Sequence, residues 1–435
     1  RKKVNRPNGN ARQRDAVFAH GVSLLFLKRT SRNGEQQIVA VLLLLTSCWL
    51  PMALTIGVLR ETETGETRVA LTPDVADRLR KTFDASIVVE HDAGAQALHP
   101  DASYGDVGCT VADRETVCDA DVILKVAPPS ADEIEALSSG QVLAGFLRPL
   151  DAPETAQALA ERGVTTLAME LVPRISRAQK MDALSAMSSL AGYRAAVMAA
   201  DRLPKFFPLL TTAAGTIRPA TVLVLGAGVA GLQAIATAKR LGARVRGYDI
   251  RDATREEIES LGATFVELEL ATEGSQDEGG YAKELQKEKQ ERQPELLHPH
   301  IADADVVITT ALIPGRPAPL LIREEAVADM APGSVIIDFA APNGGNSAVT
   351  EPGETIVAHD VTVIGPTNLP ADMPVHASQL YAKTITSLIE EFIDDGAFRP
   401  NFDDEIFDGA CLTHDGAVHN DRVRDLLGLE AEPEG

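Results

Sequence analysis

The chain has 435 residues, is 45% apolar and 24% charged, and carries a formal net charge of −22. This composition is typical of a globular protein of two or three domains and argues against a disordered or polytopic membrane protein. The acidic balance disfavours nucleic acid as the main partner, and four cysteines without a CxxC pair exclude a disulfide framework and favour a reducing compartment.

Residues 1–51 differ in charge from the rest of the chain. They carry nine Lys and Arg against two Asp and Glu, which leaves a formal charge of −29 on residues 52–435. A basic stretch before the apolar run 38–54 is also typical of a signal or anchor segment. Because Met52 is the first methionine and leads directly into a strand pattern, we expect residues 1–51 to be a non-native or disordered extension. The large negative charge favours an acidic, halophilic protein.

From Met52 onward, short apolar runs alternate with amphipathic stretches, which predicts parallel βαβ units. Helices are predicted over 72–81, 177–200 and 378–394, and a proline-containing linker over 204–219. The predicted strands are 55–59, 86–90, 122–126, 141–146, 165–168, 221–225, 243–249, 264–267, 306–309, 335–338 and 361–364.

These elements predict an α/β fold with two doubly wound, Rossmann-like domains, whose parallel sheets are joined by long helices. The first domain is expected to be discontinuous and to comprise residues 52–185 and 374–435, because the last helices return to it. The second domain would comprise residues 186–373.

A glycine-rich turn follows the first strand of the second set. Gly226, Gly228 and Gly231 form a GxGxxG motif that opens a helix, and the next strand ends at Asp249. In such motifs the glycines permit a tight turn, close approach of a pyrophosphate and close helix–strand packing. Asp249 would accept hydrogen bonds from the adenosine ribose, which predicts NAD(H) rather than NADP(H). The nearby Arg251 complicates this prediction of nucleotide choice. The alternative is a glycine-rich turn without a ligand.

Further candidate contacts to the nucleotide lie at the helix start and at the carboxyl ends of the neighbouring strands, where the cofactor crevice of such folds is found. They are Val229, Ile250, Arg251, Thr310, Ala311 and Leu312. No pair of histidines has a metal-binding spacing such as HExxH, so no metal site is predicted.

Two polar segments have both a structural and a functional interpretation. The segment before the long helix is either a helix start with surface charges or a loop that faces the nicotinamide; its candidates are Arg174, Gln179, Asp182 and Ser185. The segment 271–293 contains Gly280 and Tyr281. It is either a solvated surface helix or a mobile flap that closes over a ligand.

Taken together, these motifs resemble the NAD(H)-binding component of proton-translocating nicotinamide nucleotide transhydrogenases. The resemblance runs from about residue 55 to about residue 416, and its motifs are 174–193, 226–231, 279–284, 310–315, 338–346 and 363–370. It implies hydride transfer between NAD(H) bound here and NADP(H) bound on a partner subunit, coupled to proton movement through a membrane-embedded subunit. It also implies a homodimer in the cytoplasm that is peripheral to the inner face of the cell membrane.

The resemblance also assigns roles to individual residues. Arg174 would anchor the nicotinamide carboxamide or its ribose, and Tyr281 would close on the bound nucleotide. Gln179, Asp182 and Ser185 would orient the nicotinamide ring and meet the NADP(H)-binding domain. Lys180 departs from the small polar residue that is more usual in the family, which could alter docking.

Alanine dehydrogenase is a related family. Glu61, Arg68 and Lys125 match positions that it uses around its substrate, but the positions of its catalytic histidine and aspartate hold Arg148 and Pro342. Hydride exchange between two nicotinamide rings needs no proton transfer at carbon, so the missing base favours transhydrogenation. The alternatives are an amino-acid dehydrogenase like alanine dehydrogenase and a non-catalytic NAD(H)-sensing module.

Overall fold

The computed structural model describes residues 16–19, 22–30, 36–43, 54–268, 287–313 and 315–429. The chain divides into two units, residues 1–53 and 54–435. In the first unit, three antiparallel strands form one sheet: β1 (Ala16–Ala19), β2 (Val22–Thr30) and β3 (Gln36–Leu43). The remainder of residues 1–51 lies outside the described residues, and their assignment as an extension stays a prediction.

The second unit begins with six parallel strands that alternate with helices. The sequence pattern predicts this alternation and five of the strands, but not the third. The strands are β4 (Thr55–Val58), β5 (Ser86–Glu90), β6 (Thr110–Ala112), β7 (Val122–Leu124), β8 (Val142–Gly145) and β9 (Thr165–Ala168). The helices between them are α1 (Pro73–Phe83), α2 (Asp101–Asp106), α3 (Arg114–Cys118), α4 (Ala131–Ala136) and α5 (Pro153–Glu161).

A long helix, α6 (Ala183–Arg202), and an exposed hairpin of β10 (Leu210–Thr212) and β11 (Gly215–Ile217) lead to the second sheet. Its strands are β12 (Thr221–Leu225), β13 (Arg244–Tyr248), β14 (Thr264–Phe265), β15 (Val306–Thr309), β16 (Val335–Asp338), β17 (Thr355–Ala358) and β18 (Val361–Ile364). Its helices are α7 (Val229–Arg240), α8 (Thr254–Ser260), α9 (Lys287–Ala302) and α10 (Glu324–Ala328).

The end of the chain returns to the first sheet. The elements are α11 (Pro374–Glu390), β19 (Ile393–Asp394), β20 (Ala397–Phe398), α12 (Glu405–Ala410), β21 (Cys411–His414), β22 (Ala417–Val418) and α13 (Asp421–Leu427). Strand β21 pairs antiparallel with β9, so the first sheet contains strands from both ends of this unit.

Both sheets have the doubly wound topology that the sequence predicts. The first has the order β22-β21-β9-β8-β7-β4-β5-β6, and the second has the order β14-β13-β12-β15-β16-β18-β17. In each sheet the chain adds two strands on one side of its first strand and then crosses over to add the next strand on the other side. A switch point therefore lies between β4 and β7 in the first sheet and between β12 and β15 in the second. Ligand crevices of open α/β sheets lie at such points, outside the carboxyl ends of the strands. We call the two sheets with their helices the first and second lobes.

The apolar core covers both faces of each sheet. In β12, Val222 and Val224 pack in one cluster, whereas Leu223 and Leu225 pack in the cluster on the opposite face. Successive side chains of a strand point to opposite faces, so a strand buried on both sides needs a continuous apolar run. This burial explains why the central strands could be recognised from sequence.

Several predicted elements differ from the observed ones. The helix predicted over 177–200 is wrong at its start, because Ser176–Met181 is a 3-10 helix and α6 begins only after Asp182. The last long helix begins at Pro374 rather than 378, and the linker predicted over 204–219 contains the β10–β11 hairpin. Among the described residues, no helix is long and apolar enough to cross a membrane.

Candidate functional site

The turn between β12 and α7 is shaped by its glycines. Gly226 has a φ of +98°, and a Cβ there would lie 2.7 Å from Oγ1 of Thr310. A Cβ on Gly231 would overlap the carbonyl oxygen of Gly226, so only glycine lets α7 start this close to the strand. By contrast, a Cβ on Gly228 would meet nothing within 4 Å. The turn is therefore tight on its inner side and open at Gly228, which is the arrangement that a bound pyrophosphate needs.

The first turn of α7 faces this opening. Gly228 is the residue before the helix and supplies no side-chain cap, and Val229, the first helical residue, is 43% exposed. The first N–H groups of a helix have no partner within the helix and carry the positive end of its dipole. An anionic phosphate can accept hydrogen bonds from them.

Residues 310–312 follow β15 and lie beside the glycine turn. The backbone N–H of Thr310 donates to the carbonyl oxygen of Leu225 at 2.8 Å, and its hydroxyl donates to that of Gly226 at 3.1 Å. Leu312 is 43% exposed. The structure thus brings Thr310, next to Ala311 and Leu312, to the switch point of the second sheet.

Asp249 lies directly after β13 and is buried. One carboxylate oxygen, Oδ2, accepts the N–H of Ala227 at 2.7 Å, which ties the acid to the glycine turn. The other, Oδ1, accepts the N–H of Arg251 at 2.9 Å. The Arg251 side chain also donates to both oxygens, from Nε and Nη2, each at 3.0 Å. The acid predicted to bind the ribose therefore lies beside the turn, and its carboxylate is hydrogen-bonded to an arginine side chain.

Asp338, fully buried at the end of β16, organises the segment behind the crevice. It accepts hydrogen bonds from the hydroxyls of Thr309 and Thr350 and from the N–H groups of Ala340, Asn346 and Ser347, at distances from 2.7 to 3.0 Å. The amide of Asn346 in turn donates to the carbonyl oxygen of Ala311 at 2.9 Å. Sequence reasoning identified this segment as a motif but missed the organising role of Asp338. The sequence feature that indicates this role is an aspartate at the end of an apolar strand.

In the loop before α6, residues 174–182, the main side-chain contacts cap the helix. Asp182 is the N-cap of α6: its carboxylate accepts the N–H of Ser185 at 2.8 Å and the hydroxyl of Ser185 at 2.5 Å. Gln179 and Arg174 are exposed. The helix-start interpretation thus accounts for Asp182 and Ser185, and it leaves the Gln179 side chain in solvent.

Helix α6 connects this loop to the glycine turn. A Cβ on Gly192 would overlap the carbonyl oxygen of Ala230, so α6 packs directly on the first turn of α7. Gly192 lies nine positions after Ala183, the first residue of α6, and a rise of 1.5 Å per residue puts the loop about 14 Å along the helix from this contact. Gly280 and Tyr281, the predicted flap residues, lie outside the described residues.

A cluster of buried charges lies at the switch point of the first sheet. Nζ of the fully buried Lys125 is 3.3 Å from Oε2 of Glu61 and 3.2 Å from Oε1 of Glu133. Burial raises the pKa of Glu61 above its ordinary value, although the charge of Lys125 and the N–H of Val126 act against this. Each of these charges therefore has a buried counter-charge.

The second pair of this cluster consists of Arg68 and Glu66. The guanidinium donates from Nε to Oε1 at 2.7 Å and from Nη2 to Oε2 at 2.5 Å. Burial favours the neutral acid, but the hydrogen bonds and charge of Arg68 outweigh it and hold the pKa of Glu66 below its ordinary value. Glu66 also accepts the amide of Asn368 at 3.0 Å, which links the two lobes. Sequence reasoning found Arg68 and Lys125 but missed Glu66 and Glu133; the Ser130–Glu133 capping box of α4 was the readable signal for the latter.

Arg148 and Glu170 lie at the neighbouring strand ends. Arg148 has a φ of +48° and pairs with Glu63, with Nη1 2.7 Å from Oε1. The carboxylate of Glu170 is buried, and its Oε1 accepts the N–H groups of Leu147, at 2.9 Å, and of Arg148. Among the described residues, no group donates to Oε2 of Glu170. Burial raises the pKa of this carboxyl to about 7, despite those backbone hydrogen bonds.

Comparison with known proteins gives a consistent set of similarities. Residues 57–191 match the N-terminal domain of the alanine dehydrogenase/PNT family, and residues 195–421 match its C-terminal domain. The first part of the NAD(P) transhydrogenase subunit alpha of Rhodospirillum rubrum is 43% identical over 373 residues, which cover 83% of this chain and 97% of that protein. Alanine dehydrogenase of Bacillus subtilis is 31% identical over 390 residues, 87% of this chain and 96% of that protein.

A solved structure is also similar. The transhydrogenase from Sinorhizobium meliloti superposes with a TM-score of 0.76 at 42% sequence identity. The match covers 84% of this chain and 99% of that one.

Proposed function

The chain belongs to the alanine dehydrogenase/PNT family, and we propose that it is the NAD(H)-binding subunit of a proton-translocating transhydrogenase. In this proposal NAD(H) binds at the glycine turn of the second lobe, and NADP(H) binds to a partner subunit. Hydride passes between the two nicotinamides, and a membrane-embedded partner couples the transfer to proton movement. The membership itself confirms the resemblance drawn from the sequence motifs.

The observation that carries the proposal is the pairing of an NAD-type site with an arginine at the position where alanine dehydrogenase has its catalytic histidine. Asp249 is fixed beside the glycine turn by the N–H of Ala227, where it can read the adenosine ribose. At the first-lobe strand ends, Arg148 stands where an alanine dehydrogenase would have its histidine, and its side chain is held by Glu63. An arginine remains protonated at any physiological pH and cannot act as a general base. Oxidation of an amine or alcohol needs such a base, whereas hydride exchange between two nicotinamides does not.

The buried charge cluster supports the same conclusion. An amino or keto acid substrate needs a cation that binds its carboxylate. In the first lobe, Arg68 and Lys125 match the positions that alanine dehydrogenase uses around its substrate. Arg68 forms two hydrogen bonds with Glu66, and Lys125 lies between Glu61 and Glu133. Removing either carboxylate partner from such a buried pair is strongly unfavourable. We infer that these cations stabilise the first lobe rather than bind a substrate.

We further propose the roles of the loop before α6. Gln179 is exposed and can reach a nicotinamide or a partner domain, while Asp182 and Ser185 set the position of the loop by capping α6. Arg174 would hold the nicotinamide carboxamide or ribose, and Tyr281 would close on the bound nucleotide. Proximity matters here because a displacement of about 1 Å between reacting atoms can reduce a rate about a hundredfold.

The proposed homodimer uses the β10–β11 hairpin. Phe206, Leu209, Leu210 and Ile217 are each between 37% and 62% exposed. The segment 203–220 contains no Asp or Glu, although the whole chain has 63 of them. An exposed apolar segment that carries an arginine and no acidic residue fits the acidic surface of a second copy of this chain. The membrane partner would hold this dimer at the cytoplasmic face of the membrane.

A single-turnover assay tests the proposed function. The chain is loaded with NADH and mixed with a separately produced NADP-loaded transhydrogenase partner domain, and oxidation of NADH is followed. Transfer of hydride to NADP supports the proposal. Reduction of NAD that depends on alanine, without transfer to NADP, would favour an amino-acid dehydrogenase, and NADH binding with neither reaction would favour a sensing module.

A further inference from the structure

The carboxylate of Asp249 has its hydrogen-bonding capacity filled. A carboxylate offers about four lone-pair positions. Oδ1 accepts the N–H of Arg251 at 2.9 Å and its Nε at 3.0 Å, and Oδ2 accepts the N–H of Ala227 at 2.7 Å and Nη2 of Arg251 at 3.0 Å. A ribose can bind to this carboxylate only where one of these donors leaves.

The four donors differ in how easily they can leave. The N–H groups of Ala227 and Arg251 belong to the glycine turn and to the chain directly after β13, so they are fixed by the backbone. The two side-chain donors belong to one guanidinium, which sits on a flexible stem and is 19% exposed. Rotation of a single side chain would therefore release two acceptor positions at once. The 2′ and 3′ hydroxyls of a ribose supply two donors in return.

We propose that Arg251 occupies the adenosine-ribose position of the proposed NAD(H) site and is displaced when the nucleotide binds. This inference rests on the proposed function, because it assumes that the ribose of NAD(H) binds to Asp249. The side chain competes with the nucleotide and lowers its affinity. The exchange replaces two hydrogen bonds between oppositely charged groups with two hydrogen bonds from neutral hydroxyls to the same carboxylate, so the competition is substantial.

The same residue affects the choice between the two nucleotides. After displacement, the guanidinium stays attached one residue beyond Ile250 and close to the ribose 2′ position. A 2′-phosphate would be repelled by Asp249 but attracted by this cation, since arginine pairs with phosphate through two parallel hydrogen bonds. Arg251 therefore weakens binding of NAD(H) and reduces the discrimination that Asp249 provides against NADP(H).

Binding of half-nucleotides to the full chain tests the inference. The probes are 5′-AMP and 2′,5′-ADP, which contain the adenosine end and lack nicotinamide, and the measurement is isothermal titration calorimetry. Arg251→Ala should bind 5′-AMP at least threefold more tightly than wild type and 2′,5′-ADP at least threefold more weakly. Arg251→Gln keeps most of the stem and removes the charge, so it should shift both affinities in the same directions as Arg251→Ala but by smaller factors. This variant provides the test if Arg251→Ala does not fold.

Arg255 provides the matched control. It lies on α8, pairs with Glu267 at 3.1 Å and stacks over the ring of Phe265, so Arg255→Ala should bind both probes as wild type does. Unchanged or weaker binding of 5′-AMP by the Arg251 variants would overturn the inference and leave the proposed function standing. If the wild-type chain bound neither probe nor NADH, the proposed function and this inference would fail together.

Discussion

The hydroxyl of Tyr381 donates a 2.8 Å hydrogen bond to the carbonyl oxygen of Lys125. Both residues are fully buried. Tyr381 lies on α11, near the end of the chain, and Lys125 follows β7 in the first sheet. The bond therefore fixes the returning helix at the point where the backbone turns away from the buried charge cluster.

Removing this hydroxyl should destabilise the first lobe. Tyr381→Phe leaves a buried carbonyl oxygen without its donor, and such a loss costs about 1–3 kcal/mol. We expect the midpoint of urea unfolding, followed by circular dichroism, to fall with little change in slope. Tyr193→Phe, at a 45% exposed position, should leave the midpoint unchanged. Equal midpoints for the two variants would show that the bond contributes no stability.

Asp249→Ala should weaken NADH binding. Loss of charge-assisted hydrogen bonds to the ribose corresponds to roughly 1.5–3 kcal/mol, and the variant also loses the bond to the N–H of Ala227. Discrimination against NADPH should fall, because the repelling charge is gone while Arg251 remains. Fluorescence titration with both nucleotides measures the two effects. Unchanged affinity for both nucleotides would contradict the assignment of Asp249.

Gln179→Asn and Asp182→Asn test the loop before α6. Asparagine is as good an N-cap as aspartate, so the second variant should keep the stability of α6. If the loop orients the nicotinamide, hydride transfer to an NADP-loaded partner should fall at least tenfold, or about 1.4 kcal/mol, while NADH binding changes little. Ser176→Ala, in the same 3-10 helix, is the control. Wild-type transfer rates in both variants would mean that the segment only starts a helix.

Glu170 should make the protein less stable as pH rises. Its pKa is about 7 in the folded protein, compared with 4.5 for an unperturbed glutamate. Between these values the unfolded chain loses the proton and the folded chain keeps it, so the free energy of unfolding falls with pH. The difference between the two pKa values corresponds to roughly 3 kcal/mol of folding free energy. This contribution is present below pH 4.5 and is lost above pH 7.

The Glu170→Gln variant isolates this contribution. Its amide oxygen can still accept the N–H groups of Leu147 and Arg148. Its stability relative to wild type should therefore rise between pH 4.5 and 7, as measured by urea unfolding at several pH values. Glu154→Gln, at an exposed position on α5, should show no such trend. A constant difference between wild type and Glu170→Gln across this range would rule out a titrating Glu170.

Leu209→Asp should separate the proposed homodimer into monomers. Leu209 is 62% exposed beside the hairpin, and a carboxylate there would be repelled by an acidic partner and lose its water at the contact. Sedimentation velocity measures the change. Leu426→Asp, at a 57% exposed position on α13, should leave the oligomeric state as in wild type. A wild-type chain that sediments as a monomer would remove the hairpin as a dimer contact.

The central strands could be predicted because burial on both faces leaves a local signature. Strand β12 is Thr221–Leu225, as its apolar run predicts. Strands β6 and β17 are the edge strands of their sheets and have partly exposed side chains. They are only three and four residues long, so their apolar runs are too short to stand out, and they were missed. The start of α6 was placed too early because the apolar pattern continues into the 3-10 helix, and only the Asp182 cap marks the boundary.

The candidate site divides in the same way. The glycine turn and Asp249 were readable because strand, turn and helix are contiguous. The contact between Glu66 and Asn368 joins residues that are 302 positions apart, and nothing in either local sequence indicates it. The occupation of Asp249 by Arg251 depends on a side-chain rotamer, which a sequence pattern does not specify.

The return of the chain to its first sheet has a consequence for synthesis on the ribosome. Strand β9 has β8 on one side and β21 on the other, and β21 is made some 240 residues after β9, as the register of Thr166 with Thr413 shows. During synthesis, the edge of β9 that pairs with β21 therefore stays unpaired until the whole second lobe has been made. At 5–20 residues per second, that wait is on the order of 10–50 s. Exposed edges invite pairing with other chains, so this protein should depend most on chaperones during that interval.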